Sequence, residues 1–213
     1  MGYPLQQIKT VRQVQSTQAN HPLLPFETAV VTSWPMLELV TTWLVGAMIA
    51  WMPPQRDADR VRYESIAKDM VAVAYDPNEA PVFTGDAGRA KTALLMASIA
   101  SLESGYRADV DDGRTTGDHG QSFCLMQVRV VGKTAEGWTG RDLVSDRKKC
   151  FRAALKRIRI SFEWCKDHAV DDRLSGYTVG TCRDGEPLSR NRVGRAKVYW
   201  SHTPFSPPDD PVP

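Results

Sequence analysis

The chain has 213 residues, the length of one domain of moderate size plus an extension. Its 42% hydrophobic and 24% charged residues are those of a globular protein and argue against disorder throughout. A net charge of +2 is too balanced for a chain whose main business is nucleic acid, although residues 145–200 carry fourteen Lys and Arg against seven Asp and Glu, a half that would welcome an anionic polymer.

Residues 1–25 are polar, Gln-rich and without strong periodicity, which predicts an extended arm. They lack the basic stretch followed by an apolar run that marks a secretory signal. Residues 26–77 read as a helical extension. Within it, residues 29–52 are apolar apart from Glu38 and a few small polar residues, about the length needed to cross a bilayer. Glu38 and Pro35 count against a simple span, so the segment reads as a helix buried in its own fold, against a partner, or in a membrane. Pro53-Pro54 ends it. Val61, Ile66, Met70, Val71 and Val73 then form an approximate helical stripe.

Residues 77–88 are a loop rich in helix breakers. Residues 89–106 read as a strong, mostly apolar helix with Leu95, Ile99 and Leu102 on one face and Gly105 at its end. The Asp- and Gly-rich stretch 107–122 predicts a loop or short hairpin. Further on, Phe151, Leu155, Ile158, Phe162 and Cys165 recur at helical steps, with Arg152, Lys156, Arg157 and Arg159 around the rest of the helix. A tight Gly-bearing segment at 174–185 precedes a closing helix with Ser189 as candidate N-cap, and residues 204–213 are a Pro-rich tail. The predicted class is mainly α, with a helical domain at 78–203 behind the extension and little room for a large sheet.

The four cysteines, Cys124, Cys150, Cys165 and Cys182, show no C-x-x-C spacing and do not suggest a zinc site. On one helix, Cys150 and Cys165 lie about 22 Å apart and cannot pair. Each then pairs with Cys124 or Cys182, or all four are buried thiols. His21, His119, His168 and His202 are scattered without ligand spacing, and no phosphate loop or dinucleotide fingerprint is present, so neither a metal nor a cofactor is called for.

Two polar residues stand in apolar surroundings. Gln127 interrupts the run at the end of "GDHGQSFCLMQV", residues 117–128, and either satisfies a backbone group or faces a ligand. Glu103 ends a helix whose preceding turn is apolar, where burial favours the protonated form that a general acid needs. The plain alternative is a helix-end residue turned to solvent.

"ESGY" at 103–106, then "GDHGQSFCLMQV", then "LSGYTVGTC" at 174–182 together resemble the lysozyme-like soluble lytic transglycosylases and goose-type lysozymes. That family carries a Glu-Ser pair, a Gly-Leu-Met-Gln-Val/Ile segment and an Ala-Tyr-Asn-x-Gly segment in this order, and the resemblance covers about residues 85–200. It implies a lysozyme-like helical domain with Glu103 as catalytic acid. Ser104 matches a neighbour that helps to position the sugar. Gln127 and Tyr177 match substrate-site residues, with the Tyr177 hydroxyl holding the Glu103 carboxyl, and Asp118 matches an Asp near the water side of the cleft. The chain departs from the pattern where Cys124 replaces Gly, Thr178 replaces Asn, and Arg129 stands where goose-type enzymes often carry a second Asp.

The resemblance implies cleavage of peptidoglycan glycan strands between N-acetylmuramic acid and N-acetylglucosamine. A transglycosylase needs only one carboxyl and leaves a 1,6-anhydro product. A goose-type muramidase would use Asp118 to hold a water, and the missing second Asp tips the expectation toward the transglycosylase. The apolar extension also resembles the build of bacteriophage virion proteins that carry a wall-degrading domain into the host envelope. On that reading residues 26–54 contact other virion subunits, or a membrane, and the catalytic domain is active or vestigial. No specific nucleic-acid partner is expected.

Overall fold

The computed structural model describes residues 33–85 and 87–206. The predicted arm at 1–25, the start of the extension at 26–32 and the end of the Pro-rich tail lie outside the described residues. The described chain is mainly helical. Its elements are α1 (Ser33–Trp51), α2 (Asp57–Ala74), α3 (Gly88–Glu103), α4 (Ala108–Asp111), a 3₁₀ turn at Asp118–Gly120, β1 (Ser122–Phe123), β2 (Val128–Arg129), α5 (Gly140–Ser145), α6 (Arg147–Trp164), a 3₁₀ turn at Val170–Asp172, α7 (Ser175–Val179) and α8 (Pro187–His202).

The apolar segment is a helix packed on its own fold. Val40, Leu44, Val45, Ala47 and Met48 of α1 are buried against α2 and α3, while Glu38 faces solvent. Pro35 falls in the first turn, where the missing N–H breaks no helical bond. Trp43 packs its indole against Tyr199 and Trp200 of α8 and against Phe205, with centroids 5.6–5.8 Å away, and donates Nε1–H to the Thr203 carbonyl at 2.8 Å. Among the described residues no helix is long and apolar enough to cross a membrane. The expected boundary near residue 78 is likewise not a boundary of the core: residues of α1 and α2 share one hydrophobic cluster with α3, α6 and α8.

The centre of that cluster is α3. Ala90, Ala93, Leu94, Leu95, Met96, Ala97, Ile99 and Ala100 are all buried, so this helix is enclosed on nearly every side by α1, α2 and α8. Leu102, expected on its buried face, is instead exposed in the last turn, and Val61 of the expected α2 stripe is also exposed. Val61 lies between buried Asp59 and Tyr63, so it is the face of the helix, not its end, that leaves it in solvent. In α6, Phe151, Leu155 and Ile158 are buried as their spacing predicts.

Arg147 pins the start of α6 by donating to Asp111, Asp69 and the Ser65 hydroxyl, joining α6, α4 and α2. The Asp146 carboxylate caps α6 by accepting from the backbone of Lys148 and Lys149. Ser189 is not the cap of α8. Glu186 caps it, Pro187 occupies the first turn, and the Ser189 hydroxyl donates to the Asp171 carbonyl. The 107–122 stretch combines α4, a 3₁₀ turn and the first strand of a two-residue antiparallel hairpin that pairs Ser122 with Arg129 and Phe123 with Val128. Disulfides join Cys124 to Cys150 and Cys165 to Cys182, one of the two ways open to the sequence.

Candidate functional site

A groove of about 690 Å³ runs between the end of α3, the β1–β2 hairpin, one face of α6, and α7 with α8. Glu103, Asp118, Gln127 and Tyr177, named from three separate segments of the sequence, all line it. Ser104 does not. Its side chain is buried behind the groove, where the hydroxyl donates to the Ala100 carbonyl and accepts from the Tyr106 backbone at the end of α3. That is a helix-end role, and the sugar-positioning role expected for it is not one this placement allows.

Glu103 owes its position to the end of α3. The helix stops there because Gly105 and Tyr106 both take left-handed backbone angles (φ +59° and +53°), turning the chain away and leaving the carboxyl at the groove. Arg192 of α8 meets it. Nε and Nη2 of Arg192 both donate to Glu103 Oε1, at 3.1 and 2.7 Å. Oε2 receives no hydrogen bond among the described residues, and no buried side-chain oxygen there lacks a partner, so Oε2 is open to the groove. The apolar wall expected around Glu103 therefore carries a guanidinium on one side.

The Tyr177 hydroxyl does not hold Glu103. It donates to the Met126 carbonyl at 2.7 Å and so ties α7 to the hairpin turn. Burial pushes the phenol pKa up, and the nearby Glu103 charge adds to the shift while Arg157 and Arg192 oppose it. The backbone N–H of Tyr177 in turn donates to Ser161 Oγ of α6 at 2.9 Å. Gly176 makes this approach possible: a Cβ there would lie 2.9 Å from Ser161 Oγ and 3.0 Å from the Trp164 ring.

The Gln127 amide satisfies a backbone group and lines the groove at once. Nε2 donates to the Cys124 carbonyl at 3.0 Å, closing the turn between β1 and β2, while Oε1 sits where a Cβ on Gly117 would approach to 2.2 Å. Asp118 is exposed at the opposite edge of the hairpin and accepts from the Ser122 hydroxyl.

Five residues other than glycine have positive φ among the described residues, and four of them, Asp118, His119, Cys124 and Gln127, lie in this one loop. Each such conformation costs on the order of 1–3 kcal/mol and tends to collect at binding and catalytic sites. Cys124 (φ +59°) stands in a backbone conformation that glycine adopts freely, and its disulfide to Cys150 anchors it to α6.

No protein-family model, curated protein or solved structure matches the chain. The functional argument therefore rests on the groove itself.

Among the groove residues that the sequence did not assign to a site are Arg192, Arg157 and Trp164. Arg192 meets Glu103 across 89 residues of chain, a pairing that local spacing does not signal. Arg157 and Trp164 lie seven residues apart, two turns along one face of α6. That face was legible as helical spacing, but its neighbours across the groove were not.

Proposed function

We propose that the protein is a lysozyme-like lytic transglycosylase that cuts the β-1,4 bond between N-acetylmuramic acid and N-acetylglucosamine in peptidoglycan. The observation that carries this reading is the convergence of Glu103, Asp118, Gln127 and Tyr177 on one groove, with a Glu oxygen open to it.

In this mechanism Glu103 carries its proton on Oε2 and gives it to the glycosidic oxygen as the bond to the muramoyl C1 breaks. Oε1 remains the acceptor for Arg192, so the guanidinium orients the acid in either protonation state. The muramoyl N-acetyl group stabilises the positive charge developing at C1. The ionised Glu103 then takes the proton of the same sugar's C6 hydroxyl, whose oxygen closes onto C1. Proton and bond counts balance without water: one glycosidic bond between sugars is exchanged for one internal glycosidic bond from O6 to C1.

A goose-type muramidase is the second reading, favoured by Asp118, which stands on the same groove with an exposed carboxylate able to orient a water. A phage-virion setting, with the particle delivering this activity to the cell envelope, is proposed on the resemblance alone. Docking of residues 26–54 on other subunits loses support over 40–48, where Val40, Leu44, Val45, Ala47 and Met48 face their own core.

The test is digestion of purified peptidoglycan by wild type and Glu103→Gln, with products weighed by mass spectrometry. Anhydro-muropeptides that vanish in the variant support the proposal. Products one water heavier replace it with the muramidase. Failure of folded wild type to cleave overturns both and leaves a structural protein whose Glu103–Arg192 pair is a fixed ion pair.

A further inference from the structure

Most cationic side chains of α6 and α8 are tied to carboxylates. Arg147 reaches Asp111, Arg152 reaches Asp76, Arg159 reaches Glu79, Arg190 reaches Asp172 and Lys197 reaches Asp171. The excess positive charge of this half is therefore largely used as internal struts. Arg157, like Lys148 and Lys149 at the start of the same helix, has no carboxylate partner among the described residues, and it is the one of the three that lines the groove. Half-buried on the groove, it makes no hydrogen bond or ion pair among the described residues. No buried side-chain nitrogen there is left without a partner, so its guanidinium is open to solvent.

The same face of α6 carries Ile160, Ser161 and Trp164, three, four and seven residues on. Ile160 is 56% exposed and Trp164 59% exposed, and both line the groove. An open indole beside an unpaired guanidinium is a surface with two unmet needs, an apolar cover and an anion. A sugar ring supplies the first through its C–H face, and a carboxylate carried on that ring supplies the second.

We propose that this face of α6 is a subsite for an acidic sugar, in which Trp164 covers the apolar face of the ring and Arg157 pairs with its carboxylate. The inference rests on the glycan-cleaving reading of the same groove. In peptidoglycan that carboxylate is the lactyl group of N-acetylmuramic acid, which is free only where the stem peptide has been removed. The groove therefore selects denuded strands. The planar guanidinium suits this task because its parallel N–H groups match the two carboxylate oxygens, whereas an amide offers only one acceptor.

The experiment compares denuded glycan strands with the same strands after conversion of their lactyl carboxylates to methyl amides. KM is measured for wild type, Arg157→Gln and Arg157→Lys, and binding of both strands to Glu103→Gln is measured by titration calorimetry. Wild type should favour the acidic strands by about tenfold, the worth of one charge-assisted hydrogen bond. The ratio should fall to near one in Arg157→Gln and lie between in Arg157→Lys. Because the contrast is built into the substrate, a loss of fold cannot imitate it. Cleavage without preference in wild type, or a preference unchanged in Arg157→Gln, overturns the subsite and leaves the lytic reading standing. Acid-selective binding without any cleavage by wild type overturns the lytic reading and supports the subsite. Loss of both binding and cleavage overturns both.

Discussion

Replacing Leu44 with Ala tests whether α1 belongs to the core. Leu44 is fully buried among α1, α2 and α3, and the substitution removes three carbon atoms. At about 0.8 kcal/mol per buried carbon, the transfer loss is about 2.5 kcal/mol, and the cavity left behind raises it to roughly 3–5 kcal/mol. Helix propensity does not offset this, since Ala and Leu are both good helix formers. For a chain of this size each kcal/mol lowers Tm by about 2–4 °C, so Leu44→Ala should melt roughly 6–20 °C below wild type. Leu39 of the same helix, 47% exposed, supplies the control. Leu39→Ala should stay within about 0.5 kcal/mol of wild type. The assay is thermal unfolding followed by far-UV circular dichroism, without lipid, detergent or partner. Equal, small shifts for the two variants would refute the reasoning and return α1 to a segment stabilised by something outside this chain.

Two further perturbations address the groove. Asp172, almost fully buried beside α7, accepts from Arg190 at 2.8 and 2.9 Å, and this guanidinium holds its carboxyl pKa down to about 2. Because the folded value lies below the unfolded one, the contribution is complete above about pH 4 and is lost as pH falls toward about 2. Urea midpoints should drop across that window, and Asp172→Asn should lower the midpoint at neutral pH while reducing the acid drop; an unchanged acid profile in the variant refutes the assignment. Tyr177→Phe should cost about 1–3 kcal/mol by leaving the Met126 carbonyl without its donor. It should not move the pH–rate profile of glycan cleavage, and a shifted profile would restore a direct link between Tyr177 and Glu103.

The sequence made legible what depends on neighbours along the chain. The heptad-like spacing of Phe151, Leu155 and Ile158 marked the buried face of α6, and the motif order drew attention to four of the residues that line the groove. It did not make legible what depends on which elements meet. Hydrophobicity alone left α1 open between membrane, partner and core, because the same side chains satisfy all three. The deciding contacts come from Tyr199, Trp200 and Phe205, more than 150 residues downstream. Ser104 was read as a sugar contact from its place beside Glu103, yet one step along a helix end rotates a side chain by about a quarter turn, enough to bury it. Arg192 illustrates the same limit in charge rather than packing: nothing in α8 marks it apart from Arg190 or Arg195 until α3 lies alongside.

The two disulfides fasten α6 at both of its ends to opposite banks of the groove. Near one end Cys150 holds Cys124 at the hairpin, and just past the other Cys165 holds Cys182 beyond α7. The bridged residues are 26 and 17 apart in sequence, and closing loops of that size stabilises the folded chain by about 3–4 kcal/mol each in the chain-entropy account. A thiol-rich solvent meets the Cys182 side first, since Cys124, Cys150 and Cys165 are buried and Cys182 is not, so the α7 bank loses its fastening before the hairpin bank. Redox poise thereby becomes a property of the groove: the same chain offers a loose recess where thiols persist and a fixed one where they are oxidised.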